Sequence, residues 1–202
     1  MFVDGEIAAT LSLDAIERLG MAIGKNVADM TERIAREHAQ LKVYDRAIAM
    51  LAFRGRSATE LARALVRKGE DKALVDCAIE KLTEQGFLDD AAFARSFTRA
   101  KVLGANQSRR RVQQQLARKG IARDVSDDAI DTVFDEEGVD QRALVEAAAR
   151  KKLRSLVKLE PLVRKRRLYG FLARRGYDGD DIRRAMDAVA NGLDETDAVG
   201  EA

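Results

Sequence analysis

The pattern of apolar positions predicts helices along most of the chain. From Val43 onward, apolar residues recur three or four positions apart, as Leu61 and Leu65 or Ala78 and Leu82 do. This spacing places them on one face of an α-helix, whereas a half-buried strand would alternate at every second residue. Glycines follow several of these apolar runs, and glycine commonly ends a helix because it adopts a left-handed conformation without strain.

Three glycines that each follow a basic residue mark an internal repeat. They are Gly69, Gly120 and Gly176. Around each glycine, apolar residues occupy the positions eight and four before it and nine, ten and thirteen after it. These positions hold Leu61, Leu65, Ala78, Ile79 and Leu82 in the first copy, Val112, Leu116, Ala129, Ile130 and Val133 in the second, and Leu168, Leu172, Ala185, Met186 and Val189 in the third. Such self-similarity at a fixed spacing indicates tandem structural repeats.

Each repeat is predicted to contain three helices, so we expect an all-α protein built from three tandem three-helix repeats. The first helices are predicted at Val43–Phe53, Asp90–Leu103 and Gln141–Leu156, the second at Ser57–Lys68, Ser108–Lys119 and Pro161–Arg175, and the third at Asp71–Gln85, Asp124–Glu136 and Asp178–Ala190. The repeats would span residues 43–90, 91–138 and 139–192. Stacking them in series is expected to give an elongated, curved molecule.

Both ends of the chain lack this repeat pattern. Residues 1–42 are predicted to form a small N-terminal extension with a short strand, a helix near Asp14–Leu19 and a further helix over Asp29–Val43. The small, acidic residues 193–202 are expected to form a flexible tail.

The composition excludes several classes of protein. Hydrophobic residues make up 46% of the chain and charged residues 35%, which suits a folded soluble protein. Because no run of about 18 apolar residues occurs, we expect no membrane contact. The single cysteine, Cys77, fits a reducing cytoplasm, and we expect it to be a buried thiol. We also expect Phe87, Leu88, Phe93 and Phe97 to lie in the core.

Charge is segregated along the chain, although its net value is only +2. Residues 91–120 contain eight Lys or Arg and no acid, and residues 141–176 contain twelve Lys or Arg and two Glu. Residues 121–140 and 177–202 each contain eight acids. A nearly neutral protein with two such basic segments can still bind a polyanion locally.

The two basic segments supply the candidate binding residues. On the helix predicted from Ser108, Arg111 and Arg118 share one face, while Arg110, Gln114 and Arg118 form a stripe at four-residue spacing. Guanidinium groups suit phosphate or carboxylate partners. The candidates for contact with a partner protein or DNA are Arg95, Arg99, Lys101, Arg109, Arg110, Arg111, Arg118, Lys119, Arg150, Lys151, Lys152, Arg154, Lys165, Arg166, Arg167, Arg174 and Arg175.

Two other interpretations of these cations stay open. They can form a solvated helix face, or they can pair with the acidic third helices over Asp124–Asp140 and Asp178–Asp187 within the same chain. Tyr169 lies among the cations, where packing at the edge of the core is the expected role.

The residue inventory argues against catalysis. His38 is the single histidine and lies in a charged helix with no Cys or second His beside it, so we expect neither a zinc site nor a His/Cys pair. Residues 20–26 resemble a phosphate loop, but only three residues separate Gly20 from Gly24, and Asn26 stands where Ser or Thr would reach magnesium. We therefore expect no enzymatic activity, no metal and no cofactor.

Four motifs in matching order resemble the RecX family. They are SATELARALVRKG at residues 57–69, QGFLDDAAFA at 85–94, SRRRVQQQLARKG at 108–120 and KRRLYGFLARRG at 165–176, and the resemblance covers about residues 43–190. It implies a protein that binds the bacterial recombinase RecA, lodges in the groove of the RecA–DNA filament and inhibits the recombinase, ATPase and coprotease activities. This activity would place it in DNA repair, DNA recombination and the SOS response.

The resemblance also implies the partners. These are the RecA filament and, with weak affinity in its absence, single- or double-stranded DNA, and we expect the protein itself to be a monomer. Two alternatives remain. Three-helix units with a basic second helix also suit a stand-alone DNA-binding protein of helix-turn-helix character, and a helical scaffold for other partners would need no basic surface at all.

Overall fold

Nine of the helices fall into three groups that follow the three repeats. A computed structural model describes residues 2–3 and 6–198, with side chains from residue 8 to residue 190. The helices of repeat one are α2 (Thr31–Phe53), α3 (Ala58–Arg67) and α4 (Lys72–Glu84), those of repeat two are α5 (Asp90–Arg99), α6 (Arg109–Arg118) and α7 (Arg123–Glu136), and those of repeat three are α8 (Gln141–Arg154), α9 (Pro161–Arg174) and α10 (Gly179–Ala198). The chain divides into two compact units, one up to Asp89 and one from Asp90 onward.

Specific residues begin the second helix of each repeat. The hydroxyl of Ser57 accepts a hydrogen bond from the Glu60 backbone N–H at 3.1 Å, and Ser108 accepts one from Arg111 at 3.3 Å. Both serines are buried, so each satisfies a backbone donor that would otherwise lack a partner. In repeat three the first helical turn contains Pro161 instead of following a serine cap, and no N–H is needed at that position.

Each repeat has its own hydrophobic core, and the helices pack in the same way in all three. The first helix packs against the third, as α2 does on α4, α5 on α7 and α8 on α10, and the second helix packs against the third as well. All fifteen apolar repeat positions point into these cores, with Ile79 and Met186 half-buried and the others buried. Burial of one such leucine contributes about 1.5–3 kcal/mol, so the repeated positions contribute substantially to stability.

The N-terminal extension is small and has a core of its own. Phe2–Val3 and Glu6–Ile7 pair as a short antiparallel hairpin, and α1 follows at Leu13–Arg18. Ala9, Leu19 and Ile34 form the buried cluster of this region. The Thr10 backbone N–H lies 3.0 Å from Nδ1 of His38, which links the extension to α2.

Three predicted helix boundaries differ from the structure. The two helices expected on either side of Val43 are one continuous helix, α2, because no glycine or proline interrupts that stretch. The helix expected to reach Leu103 changes at Ala100 into a π-helical turn that ends at Gly104. Helix α10 runs on to Ala198 rather than ending at Ala190. The expected tail at 193–202 is therefore helical up to that residue, and its last four residues lie outside the described range.

The predicted burial of Cys77 and Phe87 was wrong. Cys77 is exposed because the neighbouring Ala78 takes the inward position on α4. Phe87 is 61% exposed while Leu88 is buried. The backbone N–H groups of both residues donate to the Leu82 carbonyl after the left-handed Gly86, and this turn directs Leu88 inward and Phe87 outward. Phe93 and Phe97 are half-buried at the edge of the repeat-two core.

Candidate partner-binding surface

Several of the predicted cations of repeat two pair with acids of the same repeat. Arg99 donates to Glu136 at 2.8 Å and to Glu137 at 2.6 Å, and the hydrogen bond to Glu137 raises the pKa of its guanidinium. Arg109 pairs with Asp131 of α7 and also lies over the ring of Phe134, 4.4 Å from its centroid. The acidic third helix therefore neutralises part of the basic segment, as one of the alternatives above proposed.

Other cations cover aromatic rings at the edge of the core. Lys101 lies 5.1 Å and Lys119 5.2 Å from the centroid of Phe97. In repeat three, Lys152 lies 5.5 Å and Arg175 4.3 Å from the centroid of Phe171. Burial lowers the pKa of Arg175. These long side chains shield apolar surface with their stems and stabilise the fold through the ring face.

Nine of the candidates make no ion pair or ring contact with any residue that the structure describes. In repeat three Arg150 is excluded, since it pairs with Glu146 one turn earlier on α8. Arg118 is exposed and has other contacts. The nine are Arg95, Arg110, Arg111, Lys151, Arg154, Lys165, Arg166, Arg167 and Arg174.

Six arginines of the second helices occupy matching positions in repeats two and three. Counted back from the glycine, the positions ten, nine and two residues earlier hold Arg110, Arg111 and Arg118 on α6 and Arg166, Arg167 and Arg174 on α9. The same positions in repeat one hold Thr59, Glu60 and Arg67. We call the six arginines the basic face. All are exposed except Arg111, which is half-buried.

A junction joins α6 to the end of α9. The Ser108 N–H donates to the Arg175 carbonyl at 3.1 Å, and the Tyr177 hydroxyl donates to the Asn106 carbonyl at 2.9 Å. Burial raises the pKa of Tyr177. Gly176, with φ of +88°, lies directly against Ser108 and Arg111. These contacts hold the α6 arginines of the basic face at a fixed position relative to the α9 arginines.

Sequence reasoning missed this junction and one further feature. Tyr177 and Asn106 are 71 residues apart, so neither has a local signal beyond the unusual aromatic after Gly176. The second missed feature is an exposed apolar stripe on α9. Leu162 and Tyr169 are seven residues apart, a helical spacing, and lie off the inward face formed by Leu168 and Leu172. That spacing was visible in the sequence.

The other sites considered from the sequence do not assemble. Lys25 donates to the carbonyl of Gly20 at 2.7 Å, so it closes its own turn rather than reaching outward as a phosphate-loop lysine would. Among the described residues no group of three or more His, Cys, Asp or Glu side chains is arranged to hold a metal ion. None of the described helices has the length and apolar character to cross a membrane.

Family comparisons cover all three repeats. The chain matches the models for the first, second and third three-helix domains of RecX over residues 44–82, 89–130 and 140–186. It is 34% identical over 158 residues to the regulatory protein RecX of Halorhodospira halophila, covering 78% of this chain and 92% of that protein. It is 28% identical over 194 residues to the RecX of Clostridium botulinum, covering 95% and 89%.

Solved structures have the same fold. A crystal structure of regulatory protein RecX superposes with a TM-score of 0.73 at 22% identity, covering 92% of this chain and 91% of that one. The crystal structure of RecX from Lactobacillus salivarius gives a TM-score of 0.59 at 18% identity, covering 75% and 97%. At these identities the structures support the fold.

Proposed function

Since this chain belongs to the RecX family of regulatory proteins, we propose that it is a cytoplasmic, non-catalytic regulator that binds the RecA–DNA filament and inhibits RecA. Inhibition would extend to the recombinase, ATPase and coprotease activities of RecA, and would limit its action in DNA repair and the SOS response. The observation that carries the proposal is the basic face, together with membership of the family.

The basic face has the properties that a filament-binding surface needs. Its arginines present guanidinium groups that pair in bidentate fashion with phosphate or carboxylate. Five of the six are exposed, so binding does not first have to break a buried contact. The junction at Ser108 and Arg175 fixes α6 against the end of α9, which reduces the entropy lost on binding.

The test is RecA-dependent ATP hydrolysis on single-stranded DNA, measured over a range of concentrations of this protein. We expect the wild-type protein to inhibit it at stoichiometric amounts. In the variants Arg110→Glu/Arg118→Glu and Arg167→Glu/Arg174→Glu, half-inhibition should need at least about tenfold more protein, because each reversal removes an attraction and adds a repulsion.

The matched control is Arg36→Glu/Lys42→Glu, which makes the same charge change on exposed positions of α2. This variant should inhibit like the wild type. No inhibition by the wild-type protein at stoichiometric amounts would contradict the proposed function. Equal inhibition by all the variants would indicate that the protein inhibits RecA without using the basic face.

Binding to DNA alone separates this proposal from a stand-alone DNA-binding protein. By fluorescence anisotropy with single- and double-stranded oligonucleotides, we expect weak binding that falls steeply with salt concentration. Reversal of two arginines should lower the slope of log affinity against log salt by about 2. Tight, salt-resistant, sequence-specific binding would instead favour the stand-alone DNA-binding protein.

A further inference from the structure

Repeat three contains a groove between α9 and α10 that the regulatory role does not account for. Its volume is about 690 Å³, and a recess of about 260 Å³ that shares Lys165, Met186 and Asp187 extends it. The residues that line the main groove are Leu162, Lys165, Arg166, Tyr169, Arg183, Met186 and Asp187.

The floor of the groove is apolar and open to solvent. Leu162 is 76% exposed and Tyr169 41% exposed, and Met186 lies half-buried between them and the core of repeat three. Covering large apolar side chains that are this exposed removes apolar surface from water, which favours binding of a partner. The pair Leu162 and Tyr169, spaced one heptad apart on α9, presents a continuous strip rather than a single contact.

The rim of the groove is cationic. Lys165 and Arg166 are exposed and make no ion pair with any residue from 8 to 190. Arg183 stands on the opposite wall and pairs with Asp180 one turn earlier on α10. Among the described residues that line the groove, Asp187 is the one acid. An apolar floor beside two cations without a described ion pair is complementary to a segment with apolar residues on one side and carboxylates beside them.

We propose that this groove docks an acidic, amphipathic helix of a partner protein. A helix fits the channel between two helices, with its apolar face on Leu162, Tyr169 and Met186. Its carboxylates would pair with Lys165 and Arg166. A nucleic acid fits less well, because its backbone carries a charge at every phosphate and would meet Asp187, whereas a helix can place its carboxylates away from that residue.

The test measures binding of a designed peptide to the full chain in the absence of RecA, so its result is independent of the regulatory role. The probe is a fluorescent helical peptide of about 18 residues with leucines at i, i+3, i+4 and i+7, glutamates along both edges of that stripe and alanines elsewhere. We expect a dissociation constant on the order of 1–100 μM. A twin peptide with lysine in place of glutamate should bind at least about tenfold more weakly.

Variants of the groove locate the binding. Lys165→Glu/Arg166→Glu and Leu162→Ser should each weaken the peptide about tenfold or more, with unchanged circular dichroism because all three side chains are exposed. Arg142→Glu, an exposed cation of the same repeat outside the groove, should bind like the wild type.

Four results would overturn the proposal. The lysine twin could bind as tightly as the acidic peptide. The groove variants could leave the affinity for the acidic peptide unchanged. An oligothymidine that binds more tightly than the peptide and is weakened by Leu162→Ser would assign the groove to nucleic acid. A dimer in sedimentation that Leu162→Ser dissociates would assign it to a second copy of this chain.

Discussion

The second helices of repeats two and three are both strongly basic, yet their cations have different surroundings. On α6, Arg109 is bound to Asp131 and lies over Phe134, both on the acidic helix α7. On α9, Lys165, Arg166 and Arg167 face solvent without a described ion pair. On α10, Asp180 pairs with Arg183 and Asp181 with Arg184, both arginines of the same helix. The position of the acids, rather than the number of cations, decides which cations stabilise the fold and which are available to a partner.

The glycines that end the second helices of repeats one and three differ as well. Gly69 has φ of +88° and no atom within 4 Å of the place where a Cβ would stand. Gly176 has φ of +88°, but a Cβ there would lie 2.6 Å from Ser108 Oγ and 2.7 Å from Arg111 Cβ. One glycine serves only to end a helix, and the other also lets repeat three approach α6.

The largest expected effect therefore separates Gly176→Ala from Gly69→Ala. A left-handed alanine costs about 1–2 kcal/mol at either position. Overpacking against the buried Ser108 adds about 1–3 kcal/mol at Gly176, for a total of about 2–5 kcal/mol of unfolding free energy. Urea denaturation measures the difference, and hydrogen exchange of α6 and α9 shows where the protection is lost.

Gly86→Ala is the control, because Gly86 also has a positive φ, of +74°, and no atom within 4 Å of its absent Cβ. It should resemble Gly69→Ala. Equal destabilisation by all three substitutions would mean that the close approach at Gly176 contributes nothing to stability, and the two glycines would then be equivalent.

A smaller effect tests the division between structural and available cations on α6. Arg109→Ala removes the ion pair to Asp131 and the contact with Phe134, and should lower the unfolding free energy by about 1–2 kcal/mol. Arg110→Ala, its exposed neighbour without a described partner, should leave thermal stability unchanged. The reverse order of the two melting temperatures would contradict the assignment of Arg109 to the fold.

The sequence predicted the helices and their inward faces because both depend on local spacing. The fifteen apolar repeat positions recur with the glycines and point into the cores. The partners of the cations were not predictable, since Arg99 and Glu136 are 37 residues apart. A run of charges in the sequence does not indicate which acid lies opposite each cation. The burial of Cys77 and Phe87 was mispredicted because a change of one position on a helix or after a glycine turn decides which side a residue faces.

The smallest expected effect concerns the residue that follows each glycine. Ile121 and Tyr177 are both buried, but only the tyrosine carries a hydroxyl, which donates to Asn106 in the neighbouring repeat. Tyr177→Phe should lower the unfolding free energy by about 1 kcal/mol at neutral pH, the usual contribution of one hydrogen bond. Urea denaturation at pH 7 measures this difference.

The stability difference between the wild type and Tyr177→Phe should also depend on pH. Burial raises the pKa of Tyr177 in the folded protein, while an unfolded tyrosine ionises near pH 10. The stability contributed by the neutral phenol is therefore fully present below about pH 10. Above that pH the unfolding free energy falls by about 1.4 kcal/mol per pH unit. The advantage of the wild type over Tyr177→Phe should thus close near pH 11. An advantage that stays constant from pH 8 to pH 11 would show that the Tyr177 hydroxyl ionises as readily in the folded protein as in the unfolded chain.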